Sequence, residues 1–228
     1  MNLLAFDTST DILCIAVQRA DALWQHRGPG GAQSSAQLLP AIRRLMDEAG
    51  LEFKQLDAIV FGRGPGSFTG LRTACAIAQG LAFGADVPVL PVDTLLAVAE
   101  TARAEHGCTE LVAVLDARMN EVYHAAYRWH DGAWQSAGEA GVCAPELLQV
   151  PAGWSVAGNA QAAYGERLAP EARHLIALPT SAALLRLAPA LLAAQGSLPA
   201  AAALPLYIRD KVAQTTAERA AARLAATP

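Results

Sequence analysis

Short apolar, β-branched-rich runs alternate along the chain with stretches whose apolar residues return every three or four positions, the pattern of strands interleaved with helices. Residues 3–6, 12–17 and a shorter piece around 22–25 predict three strands. Thr8-Ser9-Thr10-Asp11 and Arg19-Ala20-Asp21 supply turn chemistry between them. After the break Gly28-Pro29-Gly30-Gly31, the spacing of Leu38, Leu39, Ile42, Leu45, Met46 and Ala49 predicts a helix, capped by Ser34 or Ser35 and ended by Gly50. Residues 58–61 predict a strand and 62–66 a tight loop. A second helix follows from a cap at Ser67 or Thr69 to Phe83, with Gly84 after it. A strand over 87–92 and a helix over 94–105, stopped near Gly107, complete the first half.

The second half starts this order again. Residues 111–115 end in Asp116 as residues 3–6 end in Asp7, and 121–129 and the segment after His130-Asp131-Gly132 supply two more strands. A short helix start at 145–148, strand 154–157, helix 160–168, strand 174–177 and helix 181–194, bent at Pro189, follow. No sequence identity links the halves; the order of elements and the matched aspartates carry the repeat. Strands that alternate with helices after a hairpin start predict an α/β class with mixed sheets. A duplicated fold of this order is that of the actin, Hsp70 and sugar-kinase superfamily, two lobes each with a mixed sheet flanked by helices. The expected division is a first lobe over 1–107, a second over 108–210 and an Ala/Arg-rich tail over 211–228, compatible with a helix.

Composition narrows the class. A chain of 228 residues with 53% hydrophobic content has ample material for a core. The longest apolar run, 182–194, contains Arg186 and Pro189 and is shorter than the roughly 18–20 residues of a membrane span. Asp7 interrupts the N-terminal run almost at once, against a secretory signal. Cys14, Cys75, Cys108 and Cys143 are far apart, as expected of reduced cytosolic thiols. The net charge is −4 and Lys54 and Lys211 are the only lysines, so the chain as a whole lacks a basic footprint for nucleic acid.

The sharpest local signal is Gly62-Arg63-Gly64-Pro65-Gly66-Ser67-Phe68-Thr69-Gly70-Leu71-Arg72. Glycines between a strand and a helix N-terminus let amides face an anion, which would make Gly64, Gly66 and Ser67 a ligand cradle. The same glycines equally serve a compact turn packed against its neighbours. No lysine follows them, so the loop is not a P-loop, and no third glycine completes the dinucleotide fingerprint. Resemblance to the actin, Hsp70 and sugar-kinase superfamily implies that Asp7, Thr8 and Ser9 form a hairpin under a nucleotide phosphate with an acidic residue for metal or water; the residues themselves equally read as a turn satisfying its own backbone. Asp116 and Arg118 have the spacing of an ion pair across a turn. His26, His106, His124, His130 and His174 are isolated, without metal-ligand spacing, and Ser67 lacks the flanking glycines of a nucleophile elbow. No catalytic or metal-binding residue emerges. The helix bearing Leu38 and the small-residue-rich helix with Ala74, Cys75, Ala76, Ala78 and Ala82 each have one side for the sheet, and the other side reads either as a seat for a partner helix pair or as buried within this chain.

Taken together, Leu4-Ala5-Phe6-Asp7-Thr8-Ser9-Thr10, the loop from Gly62 to Arg72, Ala78-Gln79-Gly80-Leu81-Ala82, Asp116-Ala117-Arg118-Met119-Asn120-Glu121-Val122-Tyr123 and Pro205-Leu206-Tyr207-Ile208-Arg209 resemble the TsaB family, in the family's order and over nearly the whole chain. The resemblance implies an actin-like paralogue of TsaD. It acts as a non-catalytic scaffold or dimerisation subunit of a TsaB–TsaD–TsaE complex. That complex moves a threonylcarbamoyl group from threonylcarbamoyl-adenylate to N6 of the adenosine 3′ of the anticodon, in tRNAs reading A-starting codons. It further implies no cofactor in this chain, ATP and metal on the TsaD and TsaE partners, tRNA contact only through the complex, no membrane partner and a cytoplasmic location. Docking is implied through the two first-lobe helices, with self-association through similar surfaces. The expected interface is Leu38, Leu39, Ile42, Leu45, Met46, Arg72, Cys75, Ala76, Gln79 and Phe83, where charge at Ile42 or Cys75 should weaken the complex. The family resemblance also aligns Thr94 and Val98 with the histidines of TsaD's HxxxH metal motif, and neither is a useful ligand.

Two other classes are weighed against the scaffold. A nucleotide-binding ATPase or kinase-like enzyme is motivated by the Asp7 turn and the duplicated fold, and is weakened by the missing lysine. A metallopeptidase finds neither ligands nor a triad.

Overall fold

The computed structural model describes residues 1–209, and the expected helical tail over 211–228 lies outside the described residues. Strands β1 (Asn2–Asp7), β2 (Ile12–Arg19) and β3 (Ala22–Pro29) form an antiparallel meander, followed by helix α1 (Ser34–Ala49). Strand β4 (Ala58–Gly64) then pairs parallel to β1, helix α2 (Phe68–Ala85) crosses over, β5 (Val89–Asp93) pairs parallel to β4, and α3 (Thr94–His106) follows. The five-stranded sheet has the order β3-β2-β1-β4-β5.

The second sheet repeats this plan with β6 (Glu110–Asp116), β7 (Val122–His130), β8 (Ala133–Ser136), β10 (Ser155–Gly158) and β11 (Arg173–Ile176), in the order β11-β10-β6-β7-β8. A short β9 (Gly141–Cys143) adds to β7. Its glycine and three-residue length leave no pattern to read. The region expected as a helix over 160–168 holds only one α turn, α4 (Gln161–Tyr164), then a 3₁₀ turn, with Gly165 at positive φ between them. Among the described residues the last α-helix is α5 (Ser181–Gln195). The two mixed sheets flanked by helices make the two-lobe actin-like fold. Among the described residues no helix is long and apolar enough to cross a membrane.

The caps depart from expectation in two places. A 3₁₀ turn (Gly31–Gln33) runs straight into α1, so neither Ser34 nor Ser35 caps it and Ser34 is buried. Gly84 lies inside α2, which ends at Asp86 in a left-handed conformation, one that aspartate tolerates better than most residues. Ser67 does cap α2, accepting from the Gly70 amide, and Gly50 and Gly107 end α1 and α3 in left-handed conformations.

Strand β1 is apolar along its length because both of its faces are covered. Leu4 and Phe6 pack with Leu38, Ile42, Ala74 and Ala78 of α1 and α2. Leu3 and Ala5 face the opposite side, against Leu184 and Leu187 of α5. Helix α5 thus covers the first sheet, while Leu95, Val98 and Ala102 of α3 pack on Leu111, Ala113 and Leu115 of the second. The strands divide near Gly107, whereas α3 and α5 cross that line and lie against each other. Glu100 on α3 is the polar node of this crossing. Its buried carboxylate accepts from Arg103 at 2.9 and 3.0 Å, Arg186 of α5 at 2.7 Å and Trp134 Nε1 of β8 at 3.0 Å. A buried carboxylate needs such a full set of donors.

Candidate functional site

The C-terminal ends of β1 and β6 and the start of α2 border a cleft of about 640 Å³, lined by Ser9, Gly66, Ser67, Arg118, Asn159 and Arg209 among others. Open α/β sheets bind ligands at such strand ends. In this chain the loop's glycines are filled by the chain itself. An added Cβ at Gly62 would come within 1.7 Å of Asp7 Oδ2, at Gly64 within 2.6 Å of the Leu206 carbonyl, at Gly66 within 2.6 Å of Ser9 and at Gly70 within 1.8 Å of the Thr8 carbonyl. The Ser67 amide donates to the Ser9 carbonyl at 2.7 Å and the Gly64 amide to Thr94 Oγ1 at 3.1 Å. The loop is therefore a closely packed junction between β4, the β1–β2 turn and the C-terminal segment.

Asp7 and Thr8, named as ligand candidates, are wholly buried and do not line the cleft. Thr8 Oγ1 donates to the Gly70 carbonyl at 2.7 Å. Asp7 Oδ1 accepts from the Ser9 amide at 2.8 Å and the Ser9 hydroxyl at 2.6 Å, while Oδ2 has no partner among the described residues. Burial pushes the Asp7 carboxyl up to about 6 against the lowering effect of the Ser9 hydrogen bonds. Behind it, Cys14 accepts from the Ser181 amide at 3.1 Å, and burial, then the nearby Asp7 charge, pushes its thiol up to about 12. That thiol is inert at neutral pH. Ser9, Gly66 and Ser67 do line the cleft.

The second wall carries the expected Asp116–Arg118 pair at 3.1 Å. Asp116 is oriented by the Tyr164 hydroxyl at 2.8 Å and by its own amide on Asn159 Oδ1 at 2.9 Å. Arg118 also reaches Asp11 of the first lobe at 3.0 Å across the cleft mouth. Asp11, Asn159 and Tyr164 gave no sign in the sequence, because polar residues in turns are ordinary there.

Thr94 and Val98 are spent on structure, Thr94 as the acceptor for Gly64 and Val98 in the α3 core. Among the described residues no group of three His, Cys, Asp or Glu side chains could hold a metal.

The expected docking residues separate into two sets. Leu38, Ile42, Leu45, Met46 and Cys75 are buried at 5% exposure or less, in the core beneath α1 and α2. They correct the expected interface, because the stripe with strongest helical spacing is the one the sheet takes. Leu39, Arg72, Ala76, Gln79 and Phe83 face solvent, with Phe83 83% exposed. Ala36, Pro40 and Gly80 join them, making a small-residue surface with a few larger apolar side chains.

A curated relative from Haemophilus influenzae, named tRNA threonylcarbamoyladenosine biosynthesis protein TsaB, is 36% identical over 93% of this chain and 95% of its own length. The chain belongs to the TsaB family. A TsaB protein of Escherichia coli is 32% identical over 93% of this chain and 96% of its own length. The solved structure of YeaZ from Pseudomonas aeruginosa superposes with a TM-score of 0.84 at 40% identity, covering 90% of this chain and 99% of that one. A second solved structure, an uncharacterized protein with similarity to peptidase YEAZ from the same organism, gives 0.85 at 40% identity, over 91% and 99% of the two chains. Residues 26–169 match the family described as TsaD: tRNA N6-adenosine threonylcarbamoyltransferase. This TsaB-family chain thus shares a domain with a transferase family.

Proposed function

We propose that this chain is a non-catalytic docking subunit for tRNA modification. In this reading it seats a TsaD-like paralogue on the outer face of α1 and α2, and that paralogue transfers the threonylcarbamoyl group to N6 of the adenosine 3′ of the anticodon. The observation that carries it is the division of labour between the helix faces. One face of α2 fills the core, while the other presents Phe83 at 83% exposure beside Ala76 and Gly80. Small residues let a second helix pair approach closely, and a large exposed apolar side chain gains most from being covered. ATP and metal belong on the TsaD-like and TsaE-like partners, tRNA is met through the complex, and the site of action is the cytoplasm. A second copy of the chain can use the same face. Co-purification with the TsaD-like partner tests the reading: Phe83→Glu should abolish capture while the variant stays folded, and undiminished capture would refute it.

A second reading, a nucleotide-binding enzyme, draws on the cleft and on Arg118 and Arg209 in its lining. Calorimetry with ATP and magnesium on the isolated chain separates the two, since the docking reading expects no turnover.

A further inference from the structure

The segment Pro205-Leu206-Tyr207-Ile208-Arg209 has no regular secondary structure, yet its two ends are held by different lobes. On the first lobe the Leu206 amide donates to the Arg63 carbonyl at 2.7 Å, and the Leu206 carbonyl lies against Gly64. The Tyr207 ring stacks on Phe68 with centroids 5.3 Å apart. Arg72 Nε donates to the Tyr207 hydroxyl at 3.1 Å, its guanidinium 3.7 Å from the Phe68 centroid. On the second lobe Arg209 pairs with Glu121, donates to the Arg118 carbonyl at 3.5 Å and lies 5.8 Å from the Tyr123 centroid.

What Arg209 grips is strained. Arg118, Met119 and Asn120 follow one another with φ of 59°, 53° and 63°. Left-handed backbone is costly for arginine and methionine and persists where surrounding contacts enforce it. Among the described residues a further tie on this side of the cleft is the Arg118–Asp11 pair, whose side chains are 71% and 81% exposed. Exposed pairs of that kind contribute little. The Arg209 side chain is 12% exposed.

We propose that residues 205–209 are a strap that fixes the two lobes relative to each other across the cleft and holds the 118–120 turn in its left-handed form. A segment anchored at both ends makes each anchor intramolecular to the other, so losing one weakens both. Opening of the cleft then requires release of the strap.

Hydrogen exchange on the full chain, followed by mass spectrometry, tests this. Tyr207→Ala should speed exchange roughly tenfold in peptides from both 63–72 and 117–123, and Arg209→Ala should do the same, while the core strands 2–7 and 110–116 stay protected. Arg209→Glu combined with Glu121→Arg should restore protection in both regions. If each variant loosens only the region it touches, or neither region, the segment is a pair of independent surface contacts and the strap is overturned. Should Tyr207→Ala expose the core strands, Tyr207→Phe removes only the hydroxyl and is read by the same two-region criterion.

Discussion

The Asp7 carboxylate lies directly over Gly62: a Cβ there would stand 1.7 Å from Oδ2. Oδ1 is held by the Ser9 amide and hydroxyl, so the carboxylate cannot swing aside. Gly62→Ala should therefore cost about 2–3 kcal/mol of stability, as overpacking of a filled site does. Urea denaturation measures it, and a loss below about 0.5 kcal/mol would mean that the junction yields.

Asp7 also sets a pH dependence. Its folded pKa is raised, to about 6 from 3.8, so its contribution is fully present below the ordinary carboxylate value and is lost as pH rises through about 6. Asp7→Asn removes that loss. The variant's stability relative to the unmodified chain should rise between pH 4.5 and 7.5, by about 2 kcal/mol. A difference that stays flat over this range would contradict the burial argument.

Glu100 behaves in the opposite sense. Burial raises its pKa, but hydrogen bonds from Arg103, Trp134 and Arg186 outweigh burial and hold it below the ordinary glutamate value. Its stabilising contribution is present above that ordinary value and is lost as pH falls through the folded pKa. Arg186→Ala should cost about 1–3 kcal/mol by leaving a buried acceptor short of a donor. The cost should shrink in acid, which thermal melts at pH 4 and pH 7 would read.

Docking is tested by contrasting the two helix faces. Ile42→Glu buries a charge beneath α1 and should unfold the first lobe. Phe83→Glu and Ala76→Glu change exposed positions, should leave the melting temperature within a few degrees, and should weaken partner binding at least tenfold, on the order of 1.4 kcal/mol. Circular dichroism with titration calorimetry checks both. Tight binding by folded Phe83→Glu would move the interface elsewhere.

The alternation of strand runs with helical spacing was enough to read nearly every element, because apolar periodicity follows directly from burial on one or two faces. The matched Asp7 and Asp116 do end equivalent central strands, β1 and β6. Periodicity does not say which sheet a helix covers, so the crossing of α3 and α5 was hidden. The same limit hid which helix face is exposed: Leu38 and Ile42 mark a core stripe, whereas the exposed Ala76 and Gly80 leave almost no hydropathy signal. The Glu100 node joins residues up to 86 apart in sequence and had no local signature. At the cleft, the glycines were legible, but whether an anion or the chain's own carbonyls would fill them depends on contacts between distant segments.

The most direct test of the account is reconstituted tRNA modification from purified components, scored as threonylcarbamoyladenosine after nucleoside digestion. With the TsaD-like and TsaE-like partners and threonylcarbamoyl-adenylate supplied, formation should depend on this chain and fail with folded Phe83→Glu, and the chain alone should transfer nothing. Full-rate modification without the chain, or transfer by the chain alone, would contradict a non-catalytic docking subunit.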